Sequence, residues 1–233
     1  MPTLNEGYVA DDDELFLNII GRLARGGVLT DIVLIGSWVL PIYRMYFDND
    51  PEIPVLRTTD VDFLVGMPPR VRREFDVPAA LSELGFEPEW ALQGGYCKYV
   101  HPDMEVEFLI PEQGHGGVGS ISVDALRIQA QPLRFLSLAY DQSMVVQYRG
   151  YDIRVPDPEA FVLLKLLVIP RRKDRSKIDK DVYTARVLGE YLLAHAERRE
   201  KLRDMFTELP KGWQQKIRSS ARDNFPRLLD LIP

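Results

Sequence analysis

A chain of 233 residues, 45% hydrophobic and 27% charged, is long enough to bury its own core without disulfides or a structural metal. The single cysteine, Cys97, excludes an internal disulfide and a cysteine-built zinc site and fits a reducing, cytoplasmic setting. The net charge of −6 argues against attraction of nucleic acid to the whole surface, although 16 Lys/Arg against 8 Asp/Glu between Lys165 and Arg222 make the back of the chain basic.

The acidic opening MPTLNEGYVADDDELF has no apolar core segment, so no signal peptide is expected. Residues 12–26 place Leu15, Ile19 and Leu23 at helical spacing, which predicts an amphipathic helix capped by Asp11 or Asp12. DIVLIGS is a short β-branched run ending in Gly36-Ser37. The apolar WVLPIYRMYF after it predicts a helix with Pro41 in its first turns, where proline is tolerated. NDPEIPVLRTT reads as loop, DVDFLVG as a strand, and VPAALSELGF as a helix stopped by Gly85. YCKYVHPDMEVEFLIP predicts two strands around the turn His101-Pro102-Asp103. The glycine-rich QGHGGVGS lacks the strand-before, helix-after context and the Lys-Ser/Thr ending of a P-loop. VDALRIQAQPL and SMVVQYRGYDIRVP predict three more strands, the last two forming a hairpin through Arg149-Gly150.

After Pro156 the pattern changes. Asp157 as N-cap, Pro158 at the first helical position and Glu159 open a helix over DPEAFVLLKLLVI. Its apolar run carries Lys165 and falls far short of the roughly 20 residues of a membrane span, so a soluble protein with no membrane partner is expected. Helical patterns recur in KIDKDVYTARVLGEYLLAHA, RREKLRDMFTEL, KGWQQKIRSSARDNF and PRLLDLI. The expected class is α+β: a mixed sheet with flanking helices over residues 1–156, then a helical domain over residues 157–233.

RTTDVDFLV sets two aspartates one residue apart in an apolar run. On a strand, Asp60, Asp62 and Leu64 share one face, and Val61, Phe63 and Val65 share the other. The second face belongs to the core. The first carries two carboxylates roughly 6–7 Å apart at Cα, whose repulsion a cation between them relieves. MEVEFLI repeats the design, with Glu105 and Glu107 on one face. Alternation alone also suits a sheet with one wet face. Paired beside DVDFL, however, MEVEF would complete a cluster of three or four hard oxygen ligands, the kind that suits Mg²⁺ or Mn²⁺ bound with substrate phosphates. Gly36-Ser37 adds a strand-to-helix junction where backbone can approach a ligand and helix N–H groups can meet an anion.

These residues together resemble the nucleotidyltransferases of the DNA polymerase beta superfamily. Members carry Gly-Gly or Gly-Ser at a strand–helix turn, then an Asp-x-Asp/Glu strand, then a third carboxylate on a later strand. The run RTTDVDFL resembles in particular the bacterial branch of toxin-type and abortive-infection enzymes. So does the distal pattern HPDMEVEFLIP…VPDPEAFVLLKLL…RRKDRSKIDKDVYTARVL. The likeness covers roughly residues 30–190. Its departures are the 22 residues between Ser37 and Asp60, filled by the insertion FDNDPEIPVLRT, and a Glu where Asp is commoner as the third carboxylate.

The resemblance implies a nucleotidyltransferase-like fold and transfer of a nucleoside monophosphate from a nucleoside triphosphate, with release of pyrophosphate. It implies two Mg²⁺ (or Mn²⁺) held by Asp60, Asp62 and Glu107, with Glu105 as the alternative third ligand, and triphosphate binding by Gly36, Ser37, Arg57 and Lys165. Lys165 has a simpler reading as a lysine snorkelling from an apolar helix. The acceptor is left open among RNA or tRNA (met by the basic helical region), a protein and a small molecule. An antitoxin partner is implied by the toxin-type branch. The rival expectation is a non-catalytic nucleotide- or partner-binding module of a toxin–antitoxin-type pair.

Overall fold

The computed structural model describes residues 8–53, 55, 58–92, 94–114 and 119–232, with backbone alone for residues 8–13. Its elements follow as α1 (Tyr8–Arg25), β1 (Val33–Ile35), a 3₁₀ turn (Gly36–Trp38), α2 (Val39–Tyr46), β2 (Asp60–Leu64), α3 (Val77–Ser82), β3 (Glu87–Trp90), β4 (Cys97–His101) and β5 (Met104–Pro111). After these come β6 (Ile121–Val123), β7 (Ile128–Leu133), α4 (Leu136–Asp141), β8 (Ser143–Tyr148), β9 (Tyr151–Pro156), α5 (Pro158–Val168), α6 (Arg175–Ala194), α7 (Ala196–Glu208) and α8 (Lys211–Asn224). The class is α+β, with a mixed sheet, flanking helices and a helical C-terminal region. Among the described residues no helix is long and apolar enough to cross a membrane.

The chain forms two compact units. One is drawn from Met1–Trp38, Arg57–Leu133 and Val145–Val155, the other from Val39–Leu56, Arg134–Met144 and Pro156–Pro233. The step from Val155 to Pro156 is one of several places where the chain passes between them.

The first unit is built on a sheet with the order β1-β2-β5-β4-β3, in which β7 also pairs β5 and β6 pairs β7. Strand β2 runs antiparallel to β1 and parallel to β5, and β4 runs antiparallel to β5 and β3. The apolar face is continuous because the alternation is in register. Leu34 lies beside Phe63, Phe63 beside Phe108, and Val61 beside Val106, which is paired to Tyr99. Phe63 and Phe108 stack at 5.6 Å, and Tyr99 meets Phe108 edge-on at 6.2 Å. Helix α1 buries Phe16, Ile19, Ile20 and Leu23, the stripe expected of an amphipathic helix.

The second unit surrounds α5. This helix is apolar nearly all round, and residues Pro158–Leu167 are buried. A helix with no polar face belongs inside a bundle, and here α4, α6, α7 and α8 pack around it. Tyr43 reinforces the start of α5: its hydroxyl donates to the Pro156 carbonyl at 2.8 Å, and its ring meets Phe161 edge-on at 5.8 Å.

Several local expectations need correction. Helix α1 begins at Tyr8, so Asp11 and Asp12 lie inside the helix and not at its N-cap position. Asp157 stands at the N-cap of α5 without a side-chain bond to the first turn; it accepts from Lys201 at 2.8 Å instead. VDALRIQAQPL is not one strand, because a 3₁₀ turn at Asp124–Leu126 and the left-handed Arg127 (φ 56°) break it. Strand β3 and helix α4 were not foreseen: EPEW is wholly exposed and shows no alternation, and LSLAYD is too short to reveal a helical period.

Candidate active site

The parallel pairing of β2 with β5 places Asp60 beside Glu105 and Asp62 beside Glu107. Adjacent strands lie about 4.8 Å apart, so four half-buried carboxylates form two rows on one face of the sheet. Both strands bury their alternate residues, and this fixes the register: a slip by one residue would drive every carboxylate into the core.

The second row ends at a turn. Ile35, the last residue of β1, is paired to Asp62, and the chain bends at Gly36 with φ +77°. A Cβ on Gly36 would lie 2.5 Å from Asp62 Oδ2, so the Asp62 carboxylate packs where a side chain would have been. Ser37 is 5% exposed. Trp38 fastens the turn from both sides: its Nε1 donates to the Thr58 carbonyl at 3.0 Å, and its ring stacks on Phe16 at 4.2 Å. Thr58 leads into β2, so one indole ties the Gly36 turn to the approach of the aspartate strand. Gly36→Ala is expected to lower the thermal unfolding midpoint, with roughly 1–2 kcal/mol arising from the left-handed backbone alone. Calorimetry checks this, and an unchanged midpoint would mean that Asp62 yields without cost.

On the far side of β5, Lys98 of β4 is paired to Glu107 and lies beside Glu89 of β3. Its ammonium donates to both oxygens of Glu105, at 3.3 and 3.2 Å, with Glu89 Oε1 at 3.6 Å. Burial lowers the Lys98 pKa, but the bond and charge of Glu105, with Glu89 and Glu107 further off, outweigh it and raise the pKa above the usual lysine value. Sequence reading passed over Lys98. The signal was the two-residue turn after His101, which sets Lys98 against the Glu105/Glu107 face. Among the described residues no three His, Cys, Asp or Glu side chains are gathered tightly enough to hold a metal ion.

Of the other expected site residues, Arg57 lies outside the described residues, as do residues 115–118 of the loop QGHGGVGS. Lys165 belongs to the second unit and does not snorkel. Its side chain is 9% exposed, bonds Asp181 Oδ1 at 2.5 Å, and lies 4.9 Å from the centre of the Phe161 ring. Arg172 meets the other oxygen of Asp181 at 3.1 Å.

A sequence model of a family described as nucleotidyltransferase matches residues 15–209, most of the chain. The chain belongs to this nucleotidyltransferase family. The match runs from α1 into α7 and includes the Gly36 turn and both carboxylate strands. As a nucleotidyltransferase it is an enzyme that transfers nucleotidyl groups. Among solved structures it is similar to ANT(2″)-Ia in complex with adenylyl-2″-tobramycin, at 14% identity over 88% of this chain and 96% of that one, with a TM-score of 0.47. An antigenic nucleotidyltransferase-like protein from Paracoccidioides brasiliensis is 13% identical over 94% and 92% of the two chains, with a TM-score of 0.44. The solution structure of the antibiotic-resistance factor ANT(2″)-Ia is 12% identical over 93% and 94%, with a TM-score of 0.43. A search of curated proteins found no match.

Proposed function

We propose that this nucleotidyltransferase moves a nucleoside monophosphate from a nucleoside triphosphate to an acceptor hydroxyl, dependent on Mg²⁺, at the face formed by Asp60, Asp62 and Glu107. The observation that carries the reading is the register of β2 and β5, which puts Asp62 beside Glu107 and at the same time against the Gly36 turn. The donor types suit a hard divalent cation, since every candidate ligand is a carboxylate on neighbouring strands, and the side chains would have to draw together to hold one. Bound by Asp60, Asp62 and Glu107, such a cation supplies charge neutralisation for the triphosphate and acidifies the acceptor hydroxyl.

The chain's own residues do the rest. The backbone of Gly36 and Ser37 receives phosphate oxygens at the start of the helical turn, with the Asp62 carboxylate lying against the glycine. Arg57, just before β2, and Lys165 are the cations assigned to the triphosphate. Glu107 accepts the proton of the acceptor hydroxyl, whose oxygen then bonds the α-phosphorus. The bond from that phosphorus to its bridging oxygen breaks, and pyrophosphate leaves. Positioning and charge compensation account for such a transfer without covalent catalysis.

The run from Pro170 to Lys177 is exposed throughout and holds Arg171, Arg172, Lys173, Arg175 and Lys177, which favours RNA as the first acceptor to test. The toxin-type reading adds that expression of the active enzyme arrests growth and that a partner protein relieves the arrest. The direct test offers each α-labelled triphosphate with Mg²⁺ to RNA, protein and small-molecule acceptors. Label transfer with stoichiometric pyrophosphate is expected. Triphosphate binding without turnover would leave a binding module, and release of nucleoside diphosphate would mean kinase chemistry.

A further inference from the structure

Helix α6 has two unlike sides. On the inner one Asp181 is buried, with Lys165 on one oxygen and Arg172 on the other. Tyr183 stands two residues on, turned about 200° round the helix from Asp181, and is 49% exposed. Its ring has no stacking partner among the described residues, in contrast to Tyr46, which carries the Arg198 guanidinium at 5.3 Å. An open groove beside Tyr183 is lined by Asp179, Val182, Arg186 and Val187.

The charge on this outer side is uneven. Asp179 is matched by Arg175 at 3.2 Å, and Glu190 is matched by Arg227. Lys177 and Arg186, with Arg171 and Lys173 just before the helix, are exposed and have no carboxylate within ion-pair reach among the described residues. Surplus positive charge around an unstacked aromatic ring suits a single strand of nucleic acid, because the cations take phosphates and the ring takes the face of a base. A duplex keeps its base faces covered, so the ring adds nothing to its binding.

Resting on the reading of the acceptor as RNA, we infer that the outer side of α6 binds a single-stranded RNA segment. One base stacks on Tyr183, and phosphates lie on Arg171, Lys173, Lys177 and Arg186. Tyr183 touches no reacting atom. Arg172 lies within the basic run and bonds Asp181, so the bound strand and Lys165 are linked through one carboxylate.

The test measures fluorescence anisotropy of a labelled oligouridylate of about 12 nucleotides with the full chain, without Mg²⁺ or triphosphate. The single strand is expected to bind roughly 10-fold more tightly than an RNA duplex of the same length. Its log K should fall with log salt at a slope of about −0.7 per phosphate contacted. Tyr183→Ala should weaken binding roughly 10-fold and leave that slope unchanged, and Tyr183→Phe should bind as the wild type does. Arg186→Gln should weaken binding and make the slope shallower by about 0.7. Melting curves on the same preparations establish that the variants fold. Equal binding of the duplex overturns the inference, as does a folded Tyr183→Ala with wild-type affinity or a Tyr183→Phe as weak as Tyr183→Ala. Polyglutamate that displaces the RNA at equal concentration would assign the surface to an acidic protein instead. Label transfer to the same RNA separates this inference from the transfer reading. Tyr183→Ala should raise the KM for RNA and leave kcat unchanged. The expected binding pattern without transfer would sink RNA as the acceptor and leave the surface standing. Transfer with an unchanged KM in Tyr183→Ala would do the reverse.

Discussion

Asp62→Asn is expected to reduce nucleotidyl transfer on the order of 1,000-fold, with a thermal midpoint equal to or above that of the wild type. The magnitude is that of removing one preorganised electrostatic contact from a site where phosphate charge develops. Asparagine is nearly isosteric, so it keeps the contact with Gly36 that a larger or smaller side chain would disturb. It also removes the charge that stands beside Glu107 on the adjacent strand, and that repulsion opposes folding. Activity and stability should therefore move in opposite directions, as they do when a residue is kept for chemistry rather than packing. Initial rates of pyrophosphate release, read with a melting curve on the same preparation, check both halves. An Asp62→Asn chain with wild-type kcat would remove Asp62 from the reaction. One that loses activity only by unfolding would make it a structural residue.

The aspartates were legible in the sequence because strand alternation is a local property. Val61, Phe63 and Val65 had to face the core, which left Asp60 and Asp62 together on the other side. The neighbour of that strand was a harder inference. Between Leu64 and Met104 the chain makes a helix and two strands, and nothing local says that β5 lies parallel to β2 with Asp62 beside Glu107. That register is decided by matching Phe63 to Phe108 across the sheet, a contact distant in sequence. Lys98 escaped notice for the same reason: its meaning lies in the hairpin that folds it against Glu105, not in the run CKYVH. Exposed EPEW gave no sign of a strand because an edge strand with both faces wet, and with Pro88 inside it, carries no hydrophobic period. The helical second half was legible almost throughout, since α5 to α8 each bury enough apolar residues to print a helical period. Its exception was polar. Lys165 looked like a side chain reaching for water, and its true partner, Asp181, is a helix away.

Asp181→Ala is expected to destabilise the second unit by about 3–5 kcal/mol, because it leaves the Lys165 ammonium buried without a counter-charge. Lys165→Met should cost less, on the order of 1–3 kcal/mol. Methionine fills the same apolar channel beside Phe161, and Asp181 keeps Arg172 at 3.1 Å. The double variant K165M/D181A should be less unstable than Asp181→Ala plus Lys165→Met, since no uncompensated charge remains; urea unfolding of the four proteins measures the coupling. Additive costs would mean that the two groups do not act as a pair. The asymmetry also bears on function. On the proposed assignment of Lys165 to the triphosphate, Lys165→Met can be tested in folded protein, because Asp181 keeps Arg172. A charged hydrogen bond to phosphate contributes about 1.5–3 kcal/mol. Lys165→Met should therefore raise the KM for the triphosphate by roughly tenfold or more at temperatures where the variant is fully folded. A KM that stays at the wild-type value would confine Lys165 to holding α5 against α6.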